Sequence, residues 1–575
     1  MTNSENESTP AKPLRLWPGV ALVVLQWVAW LGVPRLLPDA AMYGVLAGLA
    51  AGPAVLAWWA FASRAPRVER WGAAVLMILA LAATRPLLHE SVAEGNMGFQ
   101  FYLYAIPVLS LAFVVWAVAA RGLPAGPRRA AMVATILLAC GAWTLVRSKG
   151  LTGDGFPEFA WRWSQTAEER LLAQAGGEPA ALPRAAARAE PDWPGFRGPD
   201  RAGVIPGVRL ATDWSESPPV ELWRRPLGPG VSSFAVGGGL LYTQEQRGDD
   251  ELVACYDAAT GEPVWSHRDA ARFEDSHVGA GPRATPALSG GVVYSLGATG
   301  ILNALDAGDG AVVWSRDAAA ATGAETPLWG FVSSPLVVDD VVVVHAGALV
   351  AYDLATGEPR WRGPAGAASY SSPQLLTVAG VPQIVMLTHA GVTGVAPADG
   401  ALLWEHPVPG IGIVQPALAA PGDVLVSQVG GDAAPLGTHR IAVAHGPGGW
   451  TAAERWRSSK LKPSFSPFVV HQGHAFGFDG RLLSCIDLED GERKWKGGRY
   501  GSGQLVLLPD QDLLLVVSEQ GELALVAATP ERFTELARFP AIEGRTWNQP
   551  ALVGDVLFVR NGREMAAFRL PLAGG

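Results

Sequence analysis

Three basic residues in the C-terminal part of the chain could together bind an anion. Arg283 lies in GPRATP, Lys462 in LKPSF and Arg499 in GGRYG. Guanidinium and ammonium groups bind carboxylates and phosphates through charge-assisted hydrogen bonds. A basic side chain also often pairs with a neighbouring acid, which is the simpler interpretation of each residue taken alone. If the fold brings the three cations together, they predict a site for a small anionic ligand.

A second group of residues could move a proton beside such a ligand. In RFEDSH, Asp275 or Glu274 stands next to His277, which pairs a carboxylate with an imidazole. Trp547 and Asn548, in TWNQP, add a flat ring and an amide that could contact a bound molecule. An Asn at such a place often only caps the end of a strand. Other side chains expected at the same level are Trp329, Tyr370, Gln415 and Tyr500.

Several common chemistries lack their motifs. The sequence contains no H-E-x-x-H, no G-x-x-x-x-G-K-[ST] and no C-x-x-C, and only three cysteines. Its net charge of −9 does not provide the basic surface that nucleic acid needs. We therefore expect no nucleic acid partner and no metal site of the zinc-protease type.

The elements that must position these residues are short strands in a repeating array. A small polar residue followed by Pro, or by a substitute for it, opens an apolar strand eight times, at intervals of 36 to 52 residues. Each interval suits one four-stranded blade, so the pattern predicts eight blades. The openings fall at Phe234, Pro286, Pro335, Pro373, Pro416, Pro467, Gly503 and Pro550.

A second repeat lies within each interval: an apolar strand, a turn of the Asp-x-x-Thr-Gly kind, and a Trp. The five clear copies are CYDAATGEPVW (Cys255–Trp265), ALDAGDGAVVW (Ala304–Trp314), AYDLATGEPRW (Ala351–Trp361), VAPADGALLW (Val395–Trp404) and CIDLEDGERKW (Cys485–Trp495). Asp can bond its own backbone and Gly accepts positive φ, so the motif predicts a hairpin. We expect the Trp to pack between blades, with Trp456 in a degenerate copy and Leu536 in the Trp position of a seventh. Trp223 and its strand should complete the last blade, because the chain ends after three strands.

The first 150 residues differ in hydropathy from the rest. Five segments are about long enough to cross a bilayer, which needs roughly 20 apolar residues. They are Leu16–Val33, Ala40–Ala62, Trp71–Leu88, Phe99–Ala120 and Ala130–Val146. The loops before the first span, after the second and after the fourth carry most of the basic residues, so the N-terminus should be cytoplasmic. Five crossings then place everything after Val146 on the opposite side of the membrane, which for a multi-pass protein of a bacterial inner membrane is the periplasm.

These patterns predict an N-terminal α-helical membrane domain with five transmembrane helices, followed by an all-β eight-bladed propeller. The expected boundaries are residues 1–147 for the membrane domain, 148–192 for a periplasmic linker and 193–575 for the propeller. In the linker, Thr166–Gln174 predicts a short amphipathic helix, and Ala175–Pro191 is typical of a flexible spacer.

The repeats resemble the pyrroloquinoline quinone (PQQ)-like propeller repeat, over about Trp193 to Pro571. The stretch WPGFRGPDRAGV, Trp193–Val204, also looks like the entry segment of such domains. The resemblance implies one of two functions. One is that of the cofactor-free scaffolds similar to BamB, the propeller lipoprotein of the outer-membrane assembly machine. The other is that of the quinoprotein dehydrogenases, which oxidise alcohols or sugars with PQQ and Ca²⁺. The layout is also similar to that of membrane-bound quinoprotein glucose dehydrogenases.

Three observations favour the scaffold over the dehydrogenase. About 47 residues per blade leave little chain for loops over a catalytic funnel. No two cysteines are adjacent, and Cys255 and Cys485 lie at equivalent places in distant blades, too far apart to bridge. No cluster of carboxylates and amides has a spacing typical of a Ca²⁺ site. We therefore expect a binding module that needs no cofactor, tethered to the inner membrane, for an envelope protein, a peptide or a small ligand. The alternative is a PQQ-dependent dehydrogenase that passes electrons to membrane quinone.

Overall fold

The protein consists of two compact units in a computed structural model that describes residues 14–36, 41–153, 155–174, 190–408, 410–430 and 437–574. The first unit comprises Met1–Leu151 and Phe156–Ser164, and the second comprises Thr152–Gly155 and Gln165–Gly575.

The first unit is helical, and it contains five helices long and apolar enough to cross a membrane. They are α1 (Trp17–Leu36), α2 (Met42–Ala62), α3 (Arg67–Leu87), α4 (Gln100–Gly122) and α5 (Ala125–Leu145). Pro53 and Pro107 lie inside α2 and α4, as membrane helices tolerate. The expected five apolar helices are confirmed, with ends that differ from the predicted ones by a few residues.

An ion-pair cluster connects the start of α3 with the start of α5. Glu69, at the start of α3, is 2% exposed and contacts Arg128 Nη2 at 2.7 Å and Arg129 Nε at 3.2 Å, at the start of α5. Pairing offsets the cost of removing this carboxylate from water. After α5, Val146–Leu151 and Pro157–Trp161 form an antiparallel hairpin that the linker prediction did not include.

The second unit begins its regular structure with α6, Ala167–Gln174. Thr166 caps it: its Oγ1 accepts from the Glu169 N–H at 2.9 Å, and Glu169 Oε2 accepts from the Thr166 N–H at 2.6 Å. This reciprocal pair is a capping box, and it explains why the predicted helix starts here. Most of the predicted spacer, residues 175–189, lies outside the described residues.

Eight four-stranded antiparallel blades follow, as predicted, each with strands in chain order from the channel outward except the last. Blades 1 to 4 consist of Ala235–Gly237, Leu240–Arg247, Asp250–Asp257 and Pro263–Asp269; Ala287–Ser289, Val292–Leu296, Ile301–Asp306 and Val312–Asp317; Leu336–Val338, Val341–His345, Ala348–Asp353 and Pro359–Ala365; Gln374–Val378, Val381–Thr388, Gly391–Val395 and Leu402–Pro407.

Blades 5 to 8 complete the ring. They consist of Ala417–Ala420, Asp423–Val429, Gly437–Gly446 and Gly449–Ser458; Val469–His471, His474–Asp479, Leu482–Asp487 and Arg493–Gly497; Gln504–Leu508, Leu513–Val517, Glu522–Ala527 and Glu535–Pro540; Ala551–Val553, Val556–Arg560, Glu564–Arg569 and Val220–Pro226. In blade 5, Ile411–Gly412 also pairs with the second strand.

The antiparallel order gives the propeller two different faces. The turns between first and second strands and between third and fourth strands lie on one face, here called the turn face. The connections between blades and the turns between second and third strands lie on the other, the mouth face. Because the Asp-x-x-Thr-Gly turns join third to fourth strands, they all lie on the turn face. The residues singled out for chemistry precede first strands and therefore belong to the mouth face.

The repeat motif locks neighbouring blades together. Asp257 Oδ1 accepts from the backbone N–H groups of Ala259 and Thr260, which fixes the turn. Trp265 Nε1 then donates to the Ala307 carbonyl in the turn of the next blade, at 3.0 Å. The motif Gly of that turn, Gly310, has φ +74° and lies against the Trp265 ring. The same bond joins Trp223 to Ala258, Trp314 to Leu354, Trp361 to Pro397, Trp456 to Leu488 and Trp495 to Thr529.

The expected packing of Trp between blades is therefore confirmed, with one correction. In blade 7 the Trp position is taken by Ala537, which pairs with Leu525 just before the bulge of the strand. Leu536 is the extra residue of that bulge and is 41% exposed. The bulge shifts the alternation of faces by one residue, which counting along the sequence does not reveal.

The N-terminal strand of the propeller closes the ring. Val220–Pro226 pairs with Glu564–Arg569, so Trp223 completes blade 8 as predicted. Arg560, in the second strand of this blade, is fully buried and donates to the Gln244 carbonyl of blade 1 at 2.8 Å and to the Gly228 carbonyl at 3.2 Å. A buried guanidinium thus fastens the last blade to the first.

The stretch before that strand, Trp193–Val204, crosses the channel from the turn face and is here called the plug. Trp193 pairs with Val236 of blade 1, and the Ile205 N–H donates to Leu507 of blade 7 at 2.8 Å. Between these points the plug bonds to Leu288 of blade 2 and to Gln374 of blade 4. Its hydrogen bonds with first strands all around the ring place it inside the propeller.

Candidate functional site

Arg283 and Asp275 hold a small hairpin at the entrance to blade 2. Glu274–Asp275 pairs with Gly279–Ala280. Arg283 Nη2 donates to Asp275 Oδ2 and to the Gly279 carbonyl, both at 2.6 Å, and the two charged side chains are 4% and 5% exposed. Asp275 Oδ1 accepts from the backbone N–H groups of His277 and Val278. Both charged groups are therefore engaged in supporting the loop.

His277 does not form a tight acid–base pair with Asp275. Its Nδ1 lies 3.9 Å from Asp275 Oδ1, and this nitrogen is buried without a hydrogen bond. Glu274 pairs instead with Arg272, at 2.8 Å. The carboxylates of this loop thus already have basic partners, and a role for them in proton transfer stays a prediction.

Lys462 and Arg499 are not brought to Arg283 by any contact among the described residues. Lys462 Nζ lies 3.7 Å from Oδ1 of Asp479, a carboxylate that is 2% exposed. Asp479 also pairs with Arg493, at 2.5 Å, and Lys496, at 2.8 Å. Arg499 is exposed in the connection from blade 6 to blade 7. An anion site formed by these three cations stays a prediction. Two of the cations lie beside different carboxylates, Arg283 beside Asp275 and Lys462 beside Asp479.

Asn548 and Trp547 have different surroundings. Asn548 is buried, and its Nδ2 donates to the carbonyls of Ser232, at 2.7 Å, and Gly230, at 3.1 Å, which ties blade 8 to blade 1. Trp547 is half-buried, and its Nε1 donates to Glu519 Oε1 at 3.1 Å. Asn548 thus bonds to backbone carbonyls before blade 1 rather than to a strand end, and its role as a ligand contact stays a prediction, whereas the Trp547 ring remains partly accessible.

Half-buried rings form two groups on the mouth face that an arginine connects, and the whole is here called the aromatic arc. Its ring-centroid distances are 6.3 Å from His277 to Trp329, 4.6 Å from Trp329 to Tyr370, 5.6 Å from Tyr370 to His389, and 4.7 Å from Phe465 to Trp547. Arg545 connects the two parts. Its guanidinium lies 4.5 Å from the Trp547 ring centroid and donates to the carbonyls of His277 and Val278. The arc joins the entrances of blades 2, 3, 4, 6 and 8.

The arc contains buried polar ring atoms that no described residue uses. Trp329 Nε1, His277 Nδ1 and His389 Nε2 are buried and form no hydrogen bond with any described residue. Burial lowers the pKa of His389 below its ordinary value, so this ring is neutral at pH 7. Burial also raises the pKa of Tyr370. The arc can therefore stack on a partner and hydrogen-bond to it.

Part of the arc was foreseen from the sequence. The sequence pattern predicted that three residues of the arc lie at the channel mouth, because each stands a few residues before a blade opening: Trp329, Tyr370 and Trp547. Phe465, two residues before Pro467, carries the same signal. His389 lies beyond the end of the second strand of blade 4, and Arg545 acts through carbonyls of another blade. The places of His389 and Arg545 in the arc depend on contacts between distant parts of the chain, which a local sequence pattern does not contain.

The described side chains do not fit PQQ with Ca²⁺. No three His, Cys, Asp or Glu side chains within the described ranges are grouped so as to hold a metal ion, whereas Ca²⁺ takes six to eight oxygen ligands. Arg283, the candidate cation for the quinone carboxylates, is held by Asp275 and backbone carbonyls.

The chain is similar to proteins of one family. The family model described as outer membrane protein assembly factor BamB matches residues 214–362 and 249–412. BamB of Shewanella oneidensis is 32% identical over 153 residues, which are 24% of this chain and 35% of that protein. BamB of Yersinia pestis is 24% identical over 327 residues, which are 53% of this chain and 70% of that protein. The chain thus spans about a third of the length of the first relative and more than two thirds of the second.

The solved structures that the chain matches include a BamB and a quinohemoprotein alcohol dehydrogenase. The crystal structure of BamB from Moraxella catarrhalis covers 62% of this chain and 99% of its own, with 14% identity and a TM-score of 0.41. The quinohemoprotein alcohol dehydrogenase from Comamonas testosteroni covers 68% of this chain and 83% of its own, with 15% identity and a TM-score of 0.44. The resemblance of the propeller to PQQ-like, BamB-like repeats, predicted from the sequence, is confirmed by the family model and the BamB relatives.

Proposed function

We propose that this protein is a membrane-anchored binding module of the bacterial envelope, whose mouth face docks a protein or peptide partner through the aromatic arc. The single observation that carries the proposal is the composition of the arc. Trp, Tyr and Arg are the residues most enriched at the energetic centres of protein interfaces. Here Trp329 contacts Tyr370 and Arg545 contacts Trp547, and His277 connects these two half-buried pairs on one face.

The relatives and the helical unit support the same proposal. The relatives are named outer membrane protein assembly factors, which is a role in the envelope. The five apolar helices provide an anchor, and the distribution of basic residues favours a cytoplasmic N-terminus and a periplasmic propeller. The partner is then an envelope protein within reach of the inner membrane.

Photocrosslinking in living cells tests the docking face. A photoreactive amino acid replaces Leu328, which is 60% exposed beside Trp329, in the full-length chain. We expect one discrete crosslinked protein, reduced at least tenfold by Trp547→Ala because truncating a central aromatic residue costs about 2 kcal/mol or more. The control position is Val381, which is 39% exposed on the turn face and should give no such product.

A matched Trp variant separates docking from folding. Trp450 is also half-buried with one ring neighbour, His445 at 4.6 Å, but lies on the turn face of blade 5. Trp450→Ala should leave the crosslink at Leu328 unchanged. Crosslinking from Val381 but not from Leu328 would move the docking surface to the turn face and contradict the proposal.

The dehydrogenase alternative has its own measurement. The full-length protein is titrated with PQQ and Ca²⁺ and assayed for dye-linked oxidation of simple alcohols and sugars. We expect no turnover, because the arc lacks a grouping of carboxylates and Arg283 is already paired. Saturable turnover would put the dehydrogenase ahead of the binding module.

A further inference from the structure

Two arginines of the plug place their charges inside the propeller. Arg197 Nη2 donates to the Phe468 carbonyl of blade 6 at 3.0 Å. Arg201 donates to the Pro335 carbonyl at 2.7 Å and to the Ser334 carbonyl at 3.0 Å, both in blade 3. The residues are 3% and 9% exposed. The plug thus carries two guanidinium groups to the level at which the first strands begin.

Neither charge is neutralised by a described carboxylate. Both guanidinium groups bond only to neutral carbonyls, and Nε of each is buried without a hydrogen-bond partner. Burial lowers the pKa of both groups to about 9, and the nearby charge of Arg201 further lowers that of Arg197. Both therefore remain charged at pH 7, so the channel contains two mutually repelling cations. Uncompensated buried charges are strongly unfavourable.

The backbone at these positions adds a second cost. Arg197 has φ +63° and Arg201 has φ +53°, both in the left-handed region. For a residue other than Gly this region costs on the order of 1 kcal/mol or more. Glycines occupy neighbouring positions of the same loop, so the turn geometry alone does not require Arg there. Local strain of this kind together with unpaired charge is typical of a binding site.

One further buried donor lies at an equivalent place in the ring. Gln415, before the opening of blade 5, corresponds in the ring to Ser334, whose carbonyl accepts from Arg201. Gln415 is 3% exposed, and its Nε2 is buried without a hydrogen bond. Guanidinium and amide N–H groups of this kind are suited to an oxyanion.

We propose that the propeller channel contains a site for a doubly charged oxyanion, bound between the guanidinium groups of Arg197 and Arg201. Two cations match the charge of a hydrogen phosphate, a sulfate or a small dicarboxylate. The site lies on the plug rather than on the aromatic arc, so this inference is independent of the proposed function.

Sulfate binding to the full-length protein in detergent tests the site. Equilibrium dialysis with labelled sulfate, at constant ionic strength set by chloride, should give one saturable site per chain. The unfolding temperature should rise and then saturate with sulfate over the same concentrations, because a ligand of the folded state stabilises it. The general stabilisation by sulfate salts is not saturable and is subtracted by the same titration of Arg268→Met, a variant of an exposed arginine.

Substitution of Arg197 distinguishes binding from a structural role. Arg197→Met should reduce sulfate binding at least tenfold, whereas Arg197→Lys should retain part of it. Without sulfate, Arg197→Met should unfold at the wild-type temperature or above, because a buried unpaired charge has been removed. The proposal is overturned if wild type binds no sulfate, if Arg197→Met binds as well as wild type, or if it is destabilised without sulfate.

Competition then identifies the source of the anion. Phosphate and succinate are compared as displacers of labelled sulfate from wild type. Stronger displacement by phosphate indicates an inorganic ligand, and stronger displacement by succinate indicates a carboxylate metabolite. Either result supports an oxyanion site, and displacement by chloride at equal concentration contradicts it.

Discussion

Arg283 holds the hairpin at the entrance of blade 2, and its value to stability can be measured. Its pair with Asp275 is almost fully buried, so Arg283→Met leaves an unpaired carboxylate and should lower the free energy of unfolding by about 3–5 kcal/mol. Arg268→Met, which removes an arginine that is 60% exposed, should change it by less than about 0.5 kcal/mol. Urea unfolding of the full-length protein in detergent, followed by circular dichroism, compares the two variants. A loss below 1 kcal/mol for Arg283→Met would show that the pair is not what supports the hairpin.

Glu251 makes the stability of blade 1 depend on pH. It is 4% exposed; burial raises its pKa from 4.5 to about 7, against the lowering effect of the hydrogen bond from the Ala298 N–H. The folded state then binds more protons than the unfolded state between these pH values, so stability falls as pH rises from about 4.5 through 7. Glu251→Gln should match wild type at pH 4.5 and exceed it at pH 8.5 by on the order of 2 kcal/mol. Parallel pH profiles of the two proteins would contradict this assignment.

The same residues show what local pattern can and cannot predict about a site. The openings of the blades placed Trp329, Tyr370 and Trp547 on one face, because an opening always precedes a first strand. The acidic partners of Arg283 and Lys462 could not be predicted from the positions of the blade openings. Asp275 is eight residues from Arg283 and Asp479 is 17 from Lys462, and which nearby acid a cation meets depends on how loops fold over a blade.

At the scale of elements, the Trp of one motif packs against the Gly of the next motif, and this contact joins neighbouring blades. A Cβ added to Gly310 would lie 2.5 Å from the Trp265 ring, whereas a Cβ added to Gly290 would meet nothing within 4 Å. Both glycines have positive φ, so Ala costs about 1 kcal/mol at either for conformation alone. Gly310→Ala should cost a further 1–3 kcal/mol for the clash. Urea unfolding of Gly310→Ala and Gly290→Ala measures the difference. Equal losses in the free energy of unfolding would show that the Trp265 ring moves aside without strain.

The elements themselves were largely predictable, because each blade repeats one sequence pattern. The eight openings and the Trp positions gave the blade count and the closure by Trp223. The prediction that Leu536 takes the Trp position was wrong, because blade 7 has no Trp to mark that position and a bulge shifts the pairing by one residue. In blade 5 the third and fourth strands are ten residues each and lack the Asp-x-x-Thr-Gly turn, so Trp404 bonds to Gln383 of its own blade instead.

At the scale of the whole molecule, the expected topology can be tested with thiol labelling. The three native cysteines are buried, and burial raises the pKa of Cys485 to about 12, so the native thiols should react little. Ser217→Cys, on an exposed part of the propeller unit, should be labelled by a membrane-impermeant maleimide in intact spheroplasts. Ala125→Cys, at the start of α5, should react only after lysis. The reverse pattern would place the propeller in the cytoplasm.

The closure of blade 8 has a consequence for the order of events during synthesis. Val220–Pro226 pairs with Glu564–Arg569, nearly the whole length of the propeller away in the chain. The first strand of the ring to be synthesised must therefore remain unpaired until the last one is made, with its edge open to other chains. Such distant pairing makes folding slow. The interval between synthesis of the first and last strands is when this protein is most exposed to aggregation, and truncation near its C-terminus should produce aggregation rather than a smaller propeller.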